Sequence, residues 1–176
     1  MRVLDWKTFD FTEVKFHEPR TSQNGGTSIF LNVPQGSVTR EDSKIRVQTP
    51  KCYVPFGISE YGDKKSLDIS LRDDNFLVFL NTFDKEIVEA ANQRSQNWFN
   101  MDENSDVSHI YKPMIRKSKG DFPPLLRGKL PEECNVYDEY NKEISVNNIS
   151  KGVQVQLIIE CVGIYGIKKE YGVTWK

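Results

Sequence analysis

The spacing of apolar residues predicts one long helix in the middle of the chain. Between residues 76 and 98, apolar side chains recur at steps of three or four, which is typical of a helix with one buried stripe. Asp73 or Asp74 precedes this stripe and is a residue type that caps helix N-termini. We therefore predict a helix over residues 74–99, with Trp98 continuing the stripe into the core.

Alternation of apolar and polar positions predicts strands on both sides of that helix. Residues 44–49 (KIRVQT) and 66–72 (SLDISLR) alternate before it, and residues 153–161 alternate after it, with the odd-numbered positions apolar. In the first of these segments, we expect Ile45 and Val47 to face the core and Lys44, Arg46 and Gln48 to form a cationic face. Residues 171–176 are expected to return along the last strand.

The order of strands, one helix and further strands predicts a mainly β fold. It fits an oligonucleotide-binding (OB) barrel of five strands, with elaborations, in which the helix lies between the third and fourth strands. An α+β sheet with one helix packed on a face would give the same pattern. With 176 residues and 38% apolar content, we expect residues 1–176 to form a single OB-like nucleic-acid-binding domain, with a fragment of a longer chain as the alternative.

Charge is distributed unevenly along the sequence. The formal net charge is only −1, which argues against binding of nucleic acid through bulk charge. Residues 111–130 (YKPMIRKSKGDFPPLLRGKL), here called the cationic strip, nevertheless carry one acid, Asp121, against six cations: Lys112, Arg116, Lys117, Lys119, Arg127 and Lys129. Three prolines disfavour a helix there. Tyr111 and Phe122 lie among the cations, a combination that suits a single-stranded nucleic acid, DNA or RNA.

A second candidate segment lies at residues 49–65, where Lys51, Tyr53, Tyr61 and Lys64 combine cations with rings in an irregular stretch. We interpret Phe56, in the same stretch, as a plug at the end of the barrel. Our hypothesis is that the cations of both segments neutralise phosphates while Tyr53, Tyr61, Tyr111 and Phe122 stack on bases. The alternative for both segments is an ordinary solvated surface.

Catalytic signatures are missing from the sequence. It contains no HExxH, GxSxG or GxxxxGK motif, and its three cysteines form no CxxC pair. Asp63, Asp68, Asp73 and Asp74 could suggest a metal-dependent nuclease, but the last two are explained by the helix cap. We therefore predict a protein that is not an enzyme and that has no catalytic residue, no metal and no cofactor. No apolar run approaches the length of a membrane span, so we expect no membrane association.

Several segments together resemble a known group of proteins. TPKCYVPFG, SLDISL, YKPMIRKSKGDFPPLLRGKLP, IIECVGIYG and YGVTWK are similar to single-stranded-DNA-binding proteins with an OB core from nucleocytoplasmic large DNA viruses, themselves distantly similar to phage-type single-strand binders. The resemblance covers residues 21–176 and is most specific at residues 111–131.

This resemblance implies binding of single-stranded DNA with little sequence preference during viral DNA replication, recombination or repair, with replication proteins as further partners. It places the protein in an infected host cell, in a cytoplasmic viral factory or the nucleus, or packaged in the virion. The alternative function is a virion-structural or protein-interaction domain whose basic strip docks on an acidic partner.

Overall fold

The computed structural model describes residues 1–23, 25–167 and 170–176. The helices are α1 (Asp74–Gln93) and α2 (Ser95–Phe99). The strands are β1 (Lys15–Phe16), β2 (Arg20–Thr21), β3 (Thr27–Ile29), β4 (Leu31–Asn32), β5 (Arg46–Gln48), β6 (Cys52–Tyr53), β7 (Ile58–Tyr61), β8 (Lys64–Ser70), β9 (Tyr111–Lys112), β10 (Ile115–Arg116), β11 (Leu125–Leu130), β12 (Val136–Tyr137), β13 (Glu143–Ile144), β14 (Gln154–Val155), β15 (Ile158–Ile167) and β16 (Glu170–Trp175).

The long helix begins as predicted and ends earlier. The carboxylate of Asp73 accepts a hydrogen bond from the backbone N–H of Phe76 at 2.9 Å, which caps α1. At Arg94 the backbone leaves helical geometry (φ −117°, ψ 21°), so the predicted span is divided into α1 and the short α2. Trp98 is buried as expected, at 5% exposure. In the described part of the chain, no helix combines the length and apolarity needed to cross a membrane.

Two six-stranded sheets form the body of the fold. The first has the order β10-β11-β8-β6-β14, with β7 also paired to β8. The second has the order β2-β3-β15-β16-β9, with β5 also paired to β15. Small ribbons join β1 to β4 and β12 to β13. A mainly β architecture with one long helix is thus confirmed.

The two sheets are continuous through one stretch of chain. β5 pairs with β15, and β6, which follows it, pairs with β14, so residues 46–53 run antiparallel to residues 154–160. Between these ladders the N–H of Thr49 donates to the carbonyl of Leu157 at 2.8 Å. Among the described pairings no further ladder closes the sheets into a barrel, so five-stranded closure stays a prediction.

A single hydrophobic core lies between the sheets and α1. Phe76, Leu80, Phe83 and Ile87 of α1 are each at most 1% exposed and pack against residues from both sheets. Trp175 is buried beside them, with its ring 5.3 Å from that of Phe83. Burial of this stripe supplies the main stabilisation of the helix, since helical propensity alone is weak.

The predicted cationic face of residues 44–49 is wrong at Arg46. This arginine is 5% exposed, because its guanidinium is enclosed by two carboxylates. Its Nε donates to Glu160 at 2.6 Å, and its Nη2 bonds to Glu41. Lys176 contacts the same Glu160 at 3.1 Å. A buried arginine is stable only when acids satisfy it, and here they come from a distant strand and a preceding turn.

Gly163 permits a close approach that another residue would block. It lies at a register shift in β15, with φ 143°, and a Cβ there would stand 2.6 Å from the carbonyl oxygen of Ile29 on β3.

We expect Gly163→Ala to lower the free energy of unfolding by about 2–4 kcal/mol, through overpacking and backbone strain. Urea denaturation followed by tryptophan fluorescence measures this loss.

The matched control is Gly166→Ala in the same strand, where a Cβ would meet its nearest neighbours at 3.8 Å. We expect a change of less than about 1 kcal/mol for this variant. Equal losses in the two variants would show that the contact with Ile29 does not constrain the strand.

Candidate nucleic-acid interface

The first sheet has one buried face and one solvent-facing face. Leu67 and Ile69 of β8 point into the core, so the alternating Ser66, Asp68 and Ser70 lie on the opposite side. Residues directly opposite in an antiparallel ladder share a face. The register therefore brings further side chains to this side, here called the outer face: Arg127 opposite Asp68, Lys129 opposite Ser66, and Arg116 opposite Leu125.

Aromatic rings mark the two ends of the outer face. Tyr53 of β6 pairs with Ser70 at one end, and Tyr61 of β7 pairs with Lys64 at the other. The rings are 37% and 88% exposed, respectively. Because β8 contains seven residues, the two ends are about 20 Å apart. The outer face therefore carries an aromatic ring near each end.

A cluster of three charges occupies the centre of the outer face. Asp68 is 3% exposed and accepts a two-pronged hydrogen bond from Arg127, with Nε–Oδ1 at 2.9 Å and Nη2–Oδ2 at 2.8 Å. Nη2 of Arg116 contacts the same Oδ1 at 2.5 Å. Both arginine side chains remain nearly half exposed. The carboxylate thus orients two guanidinium groups whose other edges remain accessible.

Asp68 is ionised in this arrangement. Burial alone would raise its pKa, but the hydrogen bonds from Arg127 and Arg116 outweigh that effect and hold the pKa below its ordinary value. The same contact raises the pKa of Arg127. The two arginines and Asp68 together carry one net positive charge. Lys64 and Lys129 flank this cluster on the same face.

Arg72 joins this surface although the sequence analysis did not select it. Its guanidinium carbon lies 4.8 Å from the centre of the Tyr53 ring, a cation–π distance. The segment SLDISLR indicates this position, because alternation along a strand places Asp68, Ser70 and Arg72 on the same face. A hydrogen bond from Leu71 N–H to the Pro124 carbonyl, at 2.8 Å, extends the β8–β11 pairing to this end.

Three predicted residues lie in the connection between β10 and β11. Lys117, Lys119 and Phe122 are all exposed, and Phe122 is 77% exposed. Lys51 is exposed just before β6. The predicted role of Phe56 as a buried plug is wrong, since its side chain is 62% exposed in the turn after β6.

Tyr111 and Lys112 are separated from the other predicted residues. They form β9, which pairs in parallel with β16 of the second sheet. The Tyr111 ring packs 5.0 Å from that of Tyr171, and its hydroxyl donates to the carboxylate of Asp84. Lys112 forms an ion pair with Glu170. Tyr111 is therefore a packing residue in this structure, and its ring is not presented for stacking.

The cationic strip passes from the second sheet to the first at Met114. This side chain is 8% exposed, and its sulfur accepts a hydrogen bond from Trp175 Nε1 at 3.2 Å. Residues before it belong to the second sheet and residues after it to the first. The strip does not form one continuous surface, and only its second half contributes to the outer face.

Two of the four acids considered as metal ligands have other contacts. Asp68 binds two arginines and Asp73 caps α1, as described above. In the described ranges, no group of three or more His, Cys, Asp or Glu residues is arranged to hold a metal ion.

Comparison with known proteins identifies the family. A family model matches residues 59–176. The chain belongs to DUF5871, a family of unknown function. The matched part of this DUF5871 protein begins within β7 and includes β8, β10 and β11. It therefore contains most of the outer face, whereas Lys51 and Tyr53 precede it.

A viral relative and several solved structures are also similar to this DUF5871 chain. Uncharacterized protein L291 of Acanthamoeba polyphaga mimivirus is 23% identical over 155 residues. The match covers 78% of the chain but 26% of L291, so the chain spans about a quarter of this curated relative.

The single-stranded DNA-binding protein of bacteriophage Enc34 has a similar fold. It is 12% identical, with a TM-score of 0.52 over 92% of this chain and 86% of that one. The structure of that phage protein in complex with ssDNA is 10% identical, with a TM-score of 0.50 and coverage of 90% of each chain. At such identities the likeness establishes the fold, which is the phage-type fold that the sequence resemblance implied.

The environment of Tyr111 generates a pH-dependent prediction. Asp84 of α1 is 8% exposed and accepts hydrogen bonds from the Tyr111 hydroxyl and the Met114 N–H. Burial raises its pKa to about 6, although the hydrogen bonds oppose the shift. Because the folded pKa exceeds the unfolded value, Asp84 contributes less stability as the pH rises from 4 to 7.

Asp84→Asn removes this titration. Between pH 4 and pH 7, its free energy of unfolding should therefore rise by up to about 3 kcal/mol relative to that of the native protein.

Urea denaturation of both proteins across that pH range measures the difference. Asp121→Asn, which removes an exposed carboxylate, is the matched control. A difference between the Asp84→Asn and native proteins that does not change with pH would contradict the predicted cost of burying this charge.

Proposed function

We propose that this protein binds single-stranded DNA with little sequence preference and that the outer face is the binding surface. The observation that carries the proposal is the outer face itself: exposed tyrosine rings and cations on one face of the first sheet. DNA strands supply the two matching groups, phosphates and flat bases, at short and regular intervals.

The cations of the outer face are available to phosphates. Lys64 and Lys129 are exposed, and within the described ranges no carboxylate lies within 4.0 Å of either ammonium group. Arg116 and Arg127 are held in place by Asp68 while almost half of each side chain remains exposed. Fixing the guanidinium groups in advance reduces the conformational entropy lost when they bind a phosphate.

The rings of the outer face are suited to bases of any type. Stacking depends on the π-face that all bases share, so Tyr53 and Tyr61 would impose little sequence preference. A platform about 20 Å long accommodates a few nucleotides, near the lower end of the roughly 4–16 nucleotides bound per OB domain.

The comparisons support the same proposal from a different direction. The Enc34 protein, which shares this fold, is a single-stranded DNA-binding protein, and one of its structures is a complex with ssDNA. The mimivirus relative supports a viral setting. We further propose a role in viral DNA replication, recombination or repair, with binding rather than catalysis as the activity. This proposal includes an OB-type organisation of the two sheets.

A salt titration tests the electrostatic part of the proposal. We expect fluorescence anisotropy to show tighter binding of labelled oligo-dT than of the matching duplex. With about five phosphates engaged, log K against log salt should have a slope of roughly −3.5. The double variant Lys64→Ala/Lys129→Ala should make the slope less steep by about 1.4, and should weaken binding to different sequences equally.

Lys85→Ala/Lys142→Ala is the matched control, since these exposed lysines lie on α1 and on the β12–β13 turn. If the slope of log K against log salt is unchanged in the Lys64/Lys129 variant, the outer face is not the phosphate-binding site. A native protein that binds oligo-dT with no salt dependence would contradict the electrostatic mechanism as a whole.

Replacement of Tyr61 tests the stacking part. Tyr61→Ala should weaken oligo-dT binding by about 1–3 kcal/mol, whereas Tyr61→Phe, which keeps the ring, should bind nearly as well as the native protein. Tyr140→Ala removes an equally prominent ring, 80% exposed, beyond the outer face and serves as the control. Equal affinities for the Ala and Phe variants at position 61 would exclude stacking on this ring.

A further inference from the structure

The β10–β11 hairpin extends beyond the last paired row of the outer face. The ladder ends at Arg116 opposite Leu125, and the final backbone contact joins Leu71 to Pro124. Residues 117–123, here called the tip loop, therefore project past the end of the sheet at which Tyr53 and Arg72 lie. A strand that followed the outer face would meet this loop as it left the platform.

The tip loop is braced, and it presents an aromatic ring to solvent. The Ser118 hydroxyl donates to the carbonyl of Pro123 at 2.6 Å, which closes the loop at its base. Gly120 adopts a left-handed conformation (φ 65°) that turns the chain, and two prolines follow the ring and restrict the backbone. Phe122 is nevertheless 77% exposed. A ring this exposed gives up about 1.5–3 kcal/mol of burial, so a binding partner that covers it would restore that stabilisation.

Two lysines and one exposed acid, Asp121, precede this ring in the tip loop. Lys117 and Lys119 are both exposed, and across the described ranges neither is within 4.0 Å of a carboxylate. Arg116 lies directly before the loop on the outer face. A flat apolar ring in a loop that also carries two exposed lysines matches the end of a nucleic-acid helix, where a terminal base pair exposes its face and phosphates lie nearby.

We propose that the tip loop recognises the junction between single-stranded and duplex DNA. The single strand lies on the outer face, Phe122 stacks on the terminal base pair, and Lys117 and Lys119 contact phosphates of the adjoining duplex. Within a duplex, bases are covered by their neighbours, so a protruding ring gains contact only at a helix end. A terminal pair also offers a larger surface than one base. This inference rests on the proposed function and names its substrate more narrowly.

The test compares four DNA ligands at one salt concentration: a single strand, two duplexes that carry this strand as a 3′ or a 5′ tail, and the blunt duplex. The native protein should bind at least one tailed duplex about 5-fold or more tightly than the single strand. Phe122→Ala should reduce this ratio to about one, and Phe122→Trp should preserve it. Tyr61→Ala should weaken both ligands and leave the ratio unchanged.

A fluorescent adenine analogue, 2-aminopurine, at the terminal base pair provides a second readout. Its emission should change when the native protein binds and should remain unaltered with Phe122→Ala. Equal affinities of the native protein for the single strand and both tailed duplexes would overturn the junction proposal and leave single-strand binding intact. A preference for tailed duplex that survives Phe122→Ala would also overturn it. Absence of single-strand binding would instead refute the proposed function.

Discussion

The ladder between β8 and β11 is the constraint on which the candidate site depends. Its six pairs fix Leu67 and Ile69 in the core and, by the same alternation, fix Asp68 on the outer face opposite Arg127. A slip of one residue would exchange the two faces of the strand and bury charge in place of aliphatic side chains. Burial of apolar surface on one side therefore holds the charged side in register, although none of the outer-face cations contributes to the core.

Asp68 resolves a conflict that such a surface creates. Two guanidinium groups on neighbouring strands repel each other, and long side chains on a solvated face are mobile. A carboxylate between them removes the repulsion and fixes both groups, and their hydrogen bonds in turn stabilise a charge that is 3% exposed. The arrangement lowers the positive charge of the surface but improves its order. Under the proposed function, this order favours contacts with phosphates at defined positions over binding by bulk attraction.

Local patterns in the sequence predicted the long helix and alternating segments on either side of it. The helical stripe, the Asp73 cap, buried Trp98 and the alternation of residues 153–161 all depend on neighbours within a few positions. The errors concern contacts between distant segments. Arg46 appeared to lie on a cationic face because one of its two carboxylate partners, Glu160, is 114 positions away. Tyr111 appeared to belong with Arg116 because nothing local to the strip reveals the parallel pairing of β9 with β16. For the same reason, the register that groups Tyr53 and Tyr61 with Arg127 could not be read from spacing.

The separation of charge explains how a chain with a net charge of −1 could bind a polyanion. Within the described residues, the acids of residues 132–143 follow β11 and lead into the separate β12–β13 ribbon, whereas the free lysines of the first sheet lie on its outer face. At physiological salt the Debye length is about 8 Å, so a bound strand interacts mainly with charges that lie within that distance. The acids of residues 132–143 lower the net charge, while the register of the first sheet brings Arg116, Arg127 and Lys129 to one face. Local register, rather than composition, therefore determines which cations share the outer face.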